Sequence, residues 1–158
     1  MVGPVAGPSH QRPIELILLR ELARRLATPV TLYDAHGRLA YLNRAAEVLF
    51  GVNFEELGEI SLEEAVALIR PTDANGVPLR AEQMPTGVAL GQHQAQQANI
   101  WVHDQNGRAH RVATTSIPLR GQGGGALGAM SIWWKVDDGG QAPGRGRAPT
   151  TRRSSGTA

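Results

Sequence analysis

Three segments of the form Asp-x-x-Gly, "DAHG" at 34–37, "DANG" at 73–76 and "DQNG" at 104–107, constrain the fold of this chain more than any other feature. In each, the Asp carboxylate can accept from backbone N–H groups of the turn, and Gly can take the left-handed conformation that ends a type I turn. The chain therefore reverses at three marked points. They do not read as calcium loops, because an EF-hand needs more oxygen ligands at fixed offsets and a late Glu, and none is present in register.

The segments between the turns supply the elements. "VTLYD" and "RLAYLN" read as two short strands joined at the first turn. Asn43 is placed to end the second strand and cap the next helix. That helix, "RAAEVLFG", has helical spacing and closes on Gly51 as a left-handed C-cap, with Leu49 and Phe50 facing core or cavity. "NFEELG" predicts a short helical turn capped by Asn53, and "SLEEAVALIR" a helix with Ser61 and Glu64 in capping-box relation, stopped by Pro71. "AEQMPTGVALGQ" is a further helix candidate despite Pro85 and Gly87. From residue 95 onward come three strands, "QANIWVHD", "RAHRVATTSIPL" and "GAMSIWWKV", divided by "DQNG" and "GQGGG". This order predicts an α+β domain with one five-stranded antiparallel sheet and its helices inserted in the middle.

Ahead of the first strand, "PIELILLRELARRLA" at 13–27 predicts an amphipathic helix, with Pro13 in the first turn, Glu15 near the positive end and Arg24 and Arg25 near the negative end. Ile14, Ile17, Leu18, Leu22 and Leu26 form a stripe that Leu16, Leu19 and Ala23 widen. So broad a face serves packing on the domain's own body or pairing with the same helix of a second chain. Residues 1–12 and 139–158 have little to bury and are expected to be disordered.

The charge balance is informative only once located. Of 16 Lys and Arg residues, Arg145, Arg147, Arg152 and Arg153 lie in the tail, which has no acid, leaving 12 basic against 14 acidic groups before it. The domain itself is mildly acidic, so nucleic-acid binding would rest on the tail alone, weakly and with a steep salt dependence. No apolar run spans a bilayer and no secretory signal opens the chain, so the expected compartment is the cytoplasm. Zero cysteine excludes disulfides, thiolate metal sites and thiol catalysis.

Over residues 28–138 the chain resembles the PAS domain family. The resemblance is carried in combination by "LYDAHGRLAYLNRAAEVLFG", "DANGVPL" with "MPTGVALGQ", and "DQNGRAHRVATTSIPLRGQGGGALGAMSIWW". It implies strand order 2-1-5-4-3, with helices folded over one sheet face to enclose a small cavity. Such modules are sensors or protein-interaction units, usually coupled to a kinase, cyclase or DNA-binding domain. Only the tail lies beyond the domain here, so output is expected through a signalling partner or a homodimer. Flavin-thiol and cysteine-linked chromophores need a cysteine and are excluded. Haem needs an axial histidine on the long helix before the third strand; residues 81–91 have none, and His93 lies just past them, which argues against haem. The cofactor is otherwise unspecified.

Further motifs weaken on inspection. His103 and His110 would face each other across a two-residue Asn106-Gly107 turn, but a type I turn with a Gly bulge pairs His103 with Ala109, and either way no third ligand is evident, so no metal site is assigned. "GGGALG" matches G-x-G-x-x-G but opens a strand rather than a helix, so it reads as a hairpin loop. No catalytic constellation emerges, although a small cone-shaped α+β isomerase or hydrolase stands as the enzyme alternative.

Alignment with the family pattern turns Thr114, Ser116 and Met130 toward the cavity, with Ile132 and Phe50 as further pocket candidates. The pocket would suit a small neutral or weakly polar ligand, or the same side chains would fill a ligand-free core. On the same alternation Ala129, Ser131 and Trp133 face the sheet's other side, making Trp133, with Ile14, Leu18 and Leu22, a candidate interface residue.

Overall fold

The computed structural model describes residues 12–136. The expected disordered segments therefore fall outside the described residues, apart from Arg12. Helix α1 spans Ile14–Arg24, followed by strands β1, Val30–Asp34, and β2, Leu39–Leu42. Helices α2, Arg44–Phe50, α3, Phe54–Leu57, and α4, Leu62–Ile69, come next. A 3-10 turn at Ala81–Gln83 leads into α5, Pro85–Gln92, and strands β3, Gln96–His103, β4, Ala109–Arg120, and β5, Ala126–Lys135, complete the domain. The strands form one antiparallel sheet in the order β2-β1-β5-β4-β3, as the PAS resemblance implies.

All three Asp-x-x-Gly turns share one geometry. Each glycine has a φ between 73° and 81°. One carboxylate oxygen of Asp34, Asp73 and Asp104 accepts from the N–H groups two and four residues on, at 2.8–3.0 Å. The third turn is the bulged form, and His103 pairs with Ala109.

The helix caps obey the sequence pattern. Asn43, Asn53 and Ser61 cap α2, α3 and α4, Gly51 closes α2 in the left-handed region, and Ser61 and Glu64 complete a capping box. The expected helix at 81–91 is instead broken before Pro85, which takes the first position of α5. Gly87 makes that break compact, since a Cβ there would lie 1.9 Å from the Ala81 carbonyl oxygen.

Two apolar layers flank the sheet. Under α2, α4 and α5 the core contains Leu39, Leu42, Leu49, Phe50, Met84, Val102, Val112 and Trp133. On the opposite face Ala23 of α1 meets Val30, Leu32 and Ala40, with Leu19, Met130 and Ile132 around them. The face of α1 that packs is thus the Leu16, Leu19 and Ala23 side, not the stripe through Ile14, Leu18 and Leu22, which points outward. Small Ala23 lets the helix sit close to β1, and the larger side chains are left on the far side.

Candidate functional site

The helix-covered face of the sheet is built from alternate residues of β1, β4 and β5. Antiparallel neighbours directly opposite one another share a face. Thr114 lies opposite Trp133, and Ser116 opposite Ser131, so all four project under the helices. Met130 and Ile132 consequently point away, against the α1 layer, which corrects their assignment to the pocket. Trp133 is likewise corrected: it is only 3% exposed and packs in the core beneath α2, while its neighbour Trp134 is 44% exposed on the other face.

The reason for the slip is local. Residues 129–134 are small or apolar on both faces, so alternation alone supplies no phase. The phase is set by an irregularity between Leu119 and Arg120 beside the glycine-rich hairpin, and by Gly128. A Cβ on Gly128 would meet the Tyr33 carbonyl oxygen at 1.8 Å, so only glycine allows β5 to enter beside β1 there.

Trp133 organises one end of this face. Its ring meets Phe50 edge-on at a centroid distance of 5.1 Å, and its Nε1–H donates to Thr31 Oγ1 at 3.2 Å. Thr31, Tyr33, Leu39, Phe50 and Trp133 are among the walls of a cavity of about 40 Å3 between β1, β2 and β5 and helices α2 to α4. Phe50 is therefore at a cavity; Thr114 and Ser116 lie farther along the sheet, outside its walls.

Near α5 three buried hydroxyls close a triangle. Ser116 and Ser131 are 2.6 Å apart, Thr86 and Ser131 2.8 Å, and Thr86 and Ser116 3.3 Å. Thr114 Oγ1, also buried, has no hydrogen-bond partner among the described residues. Sequence reasoning missed Thr86, which lies in the quoted "MPTGVALGQ" but was given no role, and Ser131, which the strand slip turns outward. The opposite-residue rule applied to Ser116 would have found Ser131.

Asn43 joins this region to α1. Its Oδ1 accepts from Val30 N and Ala46 N, both at 3.0 Å. Its Nδ2 donates to the carbonyls of Ala23, Leu26 and Thr28 at 3.0, 3.3 and 2.8 Å. One fully buried amide thus holds the end of α1, the start of β1 and the start of α2.

The β3–β4 turn fastens the other ends of two helices. Gln105 N donates to Phe50 O at the end of α2, Gln105 Nε2 to Leu68 O of α4, and His103 Nδ1 to Arg70 O. His110 Nε2 lies 2.9 Å from Asp104 Oδ2. That bond, with the backbone N–H groups of Arg108 and Asn106, holds the Asp104 carboxyl below the usual range. The two histidines thus serve hairpin and helix contacts, and among the described residues no three of His, Asp and Glu converge as a metal ligand set. His93 is exposed, in left-handed conformation just past α5. No helix among the described residues is long and apolar enough to cross a membrane.

This geometry has counterparts among known structures. The chain is similar to the PAS domain of BvgS from Bordetella pertussis, at 18% identity and a TM-score of 0.56 over 78% of this chain and 87% of that one. It is similar to the PAS domain of nitrogen regulation protein NR(II) from Vibrio parahaemolyticus, at 21% identity and 0.54 over 75% and 98%. It also matches the PAS domain of the fruit-fly ELK potassium channel, at 8% identity and 0.62 over 77% and 96%. At such identities these likenesses show the fold alone. No curated protein matches the chain. The family profile of the PAS fold, however, matches residues 18–132, which take in most of α1 and every strand up to Ile132. With that match over most of its length, and with the 2-1-5-4-3 sheet and the helices that cover it, the chain belongs to the PAS family, whose domains are typically sensory and signalling modules.

Proposed function

We propose that this chain is a sensory and protein-interaction module whose output runs through α1, as a homodimer interface or, by the same face, a contact for a signalling partner. The observation that carries this reading is the outward stripe of α1. Ile14, Leu18 and Leu22 are 68%, 62% and 56% exposed on a helix whose opposite side is fastened to the sheet. Apolar residues grouped on one helix face mark an interaction site. Pairing of two such helices about a two-fold axis would cover the stripe with itself.

Asn43 supports a route for the signal. It caps α2 at one end and holds the end of α1, while Phe50 at the other end of α2 walls the cavity. A guest or partner that shifts α2 therefore changes the balance between arrangements of α1. No catalytic step enters this reading. The aspartates Asp34, Asp73 and Asp104 are committed to turns, and Glu64 to its helix cap.

The test is sedimentation velocity on the full chain and on a Leu18→Glu, Leu22→Glu variant. A concentration-dependent dimer that the variant abolishes, with its thermal unfolding unchanged, is the expected result. A monomer at every concentration, or a dimer indifferent to both substitutions, would overturn dimerisation through α1. Deleting residues 1–27 is a poorer test, because Leu16 and Ala23 belong to the core.

A further inference from the structure

The sheet's two edges are not equally covered. Along β2, Leu39 N donates to Ile60 O, Arg12 Nη1 donates to Ala40 O, and Arg38 forms a bridge with Ser61. On β3 only the far half is covered, where Trp101 exchanges both backbone bonds with Thr72, at 2.9 and 3.0 Å. β3 pairs with β4 without a register shift, so backbone direction alternates along it. The N–H and C=O groups of Gln97 and Asn99 therefore point the same way as those of Trp101, away from β4. Neither residue has a hydrogen-bond partner on that side among the described residues.

A row of unpaired backbone groups recruits another strand unless charge, proline or a bulge blunts it. β4 obeys that rule: its Pro118, two residues past the pairing of Ser116 with Gln96, has no N–H to offer on the side of β3. Residues 94–99, Gln-Ala-Gln-Gln-Ala-Asn, carry no charge and no proline, and all but Ala98 are exposed. No bulge interrupts β3. The edge is thus closed by Thr72 at Trp101, blunted by Pro118 beyond Gln96, and unprotected between them.

The chemistry of this stretch fits a second copy of itself. Two β3 strands running antiparallel about a two-fold axis at Ala98 set Gln97 of each opposite Asn99 of the other, and each such pair exchanges both backbone bonds. The same opposition brings the Gln97 and Asn99 side chains together on the sheet's outer face, where each amide donates and accepts and no charge repels. On the other face Ala98 meets Ala98, small enough for the close approach of a non-hydrogen-bonded pair. A charged peptide would find no counter-charge on this stretch. Pairing stops at the next outward groups, those of Trp101, because Thr72 holds them.

We propose that residues 96–99 of β3 form a self-association edge that joins the five-stranded sheets of two copies into one. A contact of two hydrogen-bonded pairs is far smaller than a standard interface, so the association is weak and depends on local concentration. It uses a different element from α1 and does not rest on the reading of α1. Where both operate, β3 links one α1 dimer to the next.

The experiment uses the isotopically labelled full chain carrying Leu18→Glu and Leu22→Glu, which removes pairing through α1, in a dilution series from about 2 mM to about 0.05 mM. The amide hydrogens of Gln97 and Asn99 are expected to move downfield as concentration rises, while those of Ala98 and Ile100, already bonded to β4, stay nearly fixed. Gln97→Lys with Asn99→Lys sets like charges about the axis and should abolish the shifts. Both positions are exposed, so the thermal melt should be unchanged. Because the chain has no cysteine, Ala98→Cys reports the axis directly. Its two Cα atoms would lie about 4.5 Å apart, within disulfide reach, so it should cross-link about tenfold faster than Val48→Cys, an exposed site on α2. No amide shift up to about 2 mM, shifts that the lysines leave intact, or shifts without faster cross-linking at Ala98→Cys each overturn the proposal.

Discussion

The amide nitrogen of Asn43 donates to the carbonyl of Ala23, twenty residues earlier, at 3.0 Å. This bond ties the last turn of α1 to the first turn of α2, two helices on opposite faces of the sheet. Asn43→Ala removes the cap of α2 and leaves buried backbone groups of Val30 and Ala23, and the half-buried Thr28 carbonyl, without this partner. The expected loss is about 3 kcal/mol, or a fall in Tm of about 10 °C, measured by calorimetry. Asn43→Asp keeps the accepting oxygen and loses the donors, so its stability should fall between those of the parent chain and Asn43→Ala. A loss no larger than that of an ordinary exposed cap, about 1 kcal/mol, would mean that the bonds to α1 contribute nothing.

Adjacent tryptophans give a direct test of the phase of β5. Trp133→Ala empties a core position beside Phe50 and should cost about 3–5 kcal/mol, whereas Trp134→Ala on the other face should cost less than about 1. Urea unfolding of the two variants decides between the two registers. The reverse ranking would restore the outward assignment of Trp133.

Gly87→Ala opposes two effects of different size. In an exposed helix Ala would gain about 1 kcal/mol over Gly. Here its Cβ would lie 1.9 Å from Ala81 O and 2.8 Å from the Ala81 carbonyl carbon, so the 3-10 turn and α5 must separate. The steric term wins, with a net destabilisation of about 2 kcal/mol in chemical denaturation. Any increase in stability would contradict the close approach of these two elements.

The depressed Asp104 carboxyl predicts a definite pH dependence. A carboxyl held lower in the folded than in the unfolded state contributes stability above its unfolded pKa, near 4. That contribution is lost as pH falls through the folded value. Asp104→Asn should therefore be less stable than the parent chain at pH 7, and the gap should close as pH drops below about 4. Unfolding free energies measured between pH 3 and pH 7 provide the check, and a gap independent of pH would sink the assignment.

The hydroxyl triangle should behave as a unit. Ser131→Ala removes the oxygen that makes the two shorter contacts and is expected to cost about 1 kcal/mol. Replacing all three, as Thr86→Val, Ser116→Ala and Ser131→Ala, leaves none of these hydroxyls unpaired and should cost less than the sum of the single changes. A mutant cycle in urea unfolding tests this, and strict additivity would show that the three hydroxyls do not cooperate.

Local chemistry made much of this domain readable without coordinates. The three Asp-x-x-Gly turns, the caps at Asn43, Asn53 and Ser61 and the left-handed Gly51 each act within a few residues, so they can be read from neighbouring residues alone. Together with the element order they led to a five-stranded antiparallel sheet, and the resemblance to the PAS family implied its strand order. Beyond the reach of the sequence were relations between distant segments with no local marker. The face of β5 depends on an irregularity beside Leu119 and on contact between Gly128 and Tyr33, because β5 is apolar on both sides. The buried side of α1 depends on where Ala23 fits against Val30 and Leu32, because that helix carries apolar side chains on more than one side. Thr86, Ser116 and Ser131, or Thr31 and Trp133, meet only when tertiary packing brings them together. Sequence alone determined the turns, the caps and, through the family resemblance, the PAS topology; tertiary structure decided which faces are buried, because that depends on contacts between segments far apart in the chain.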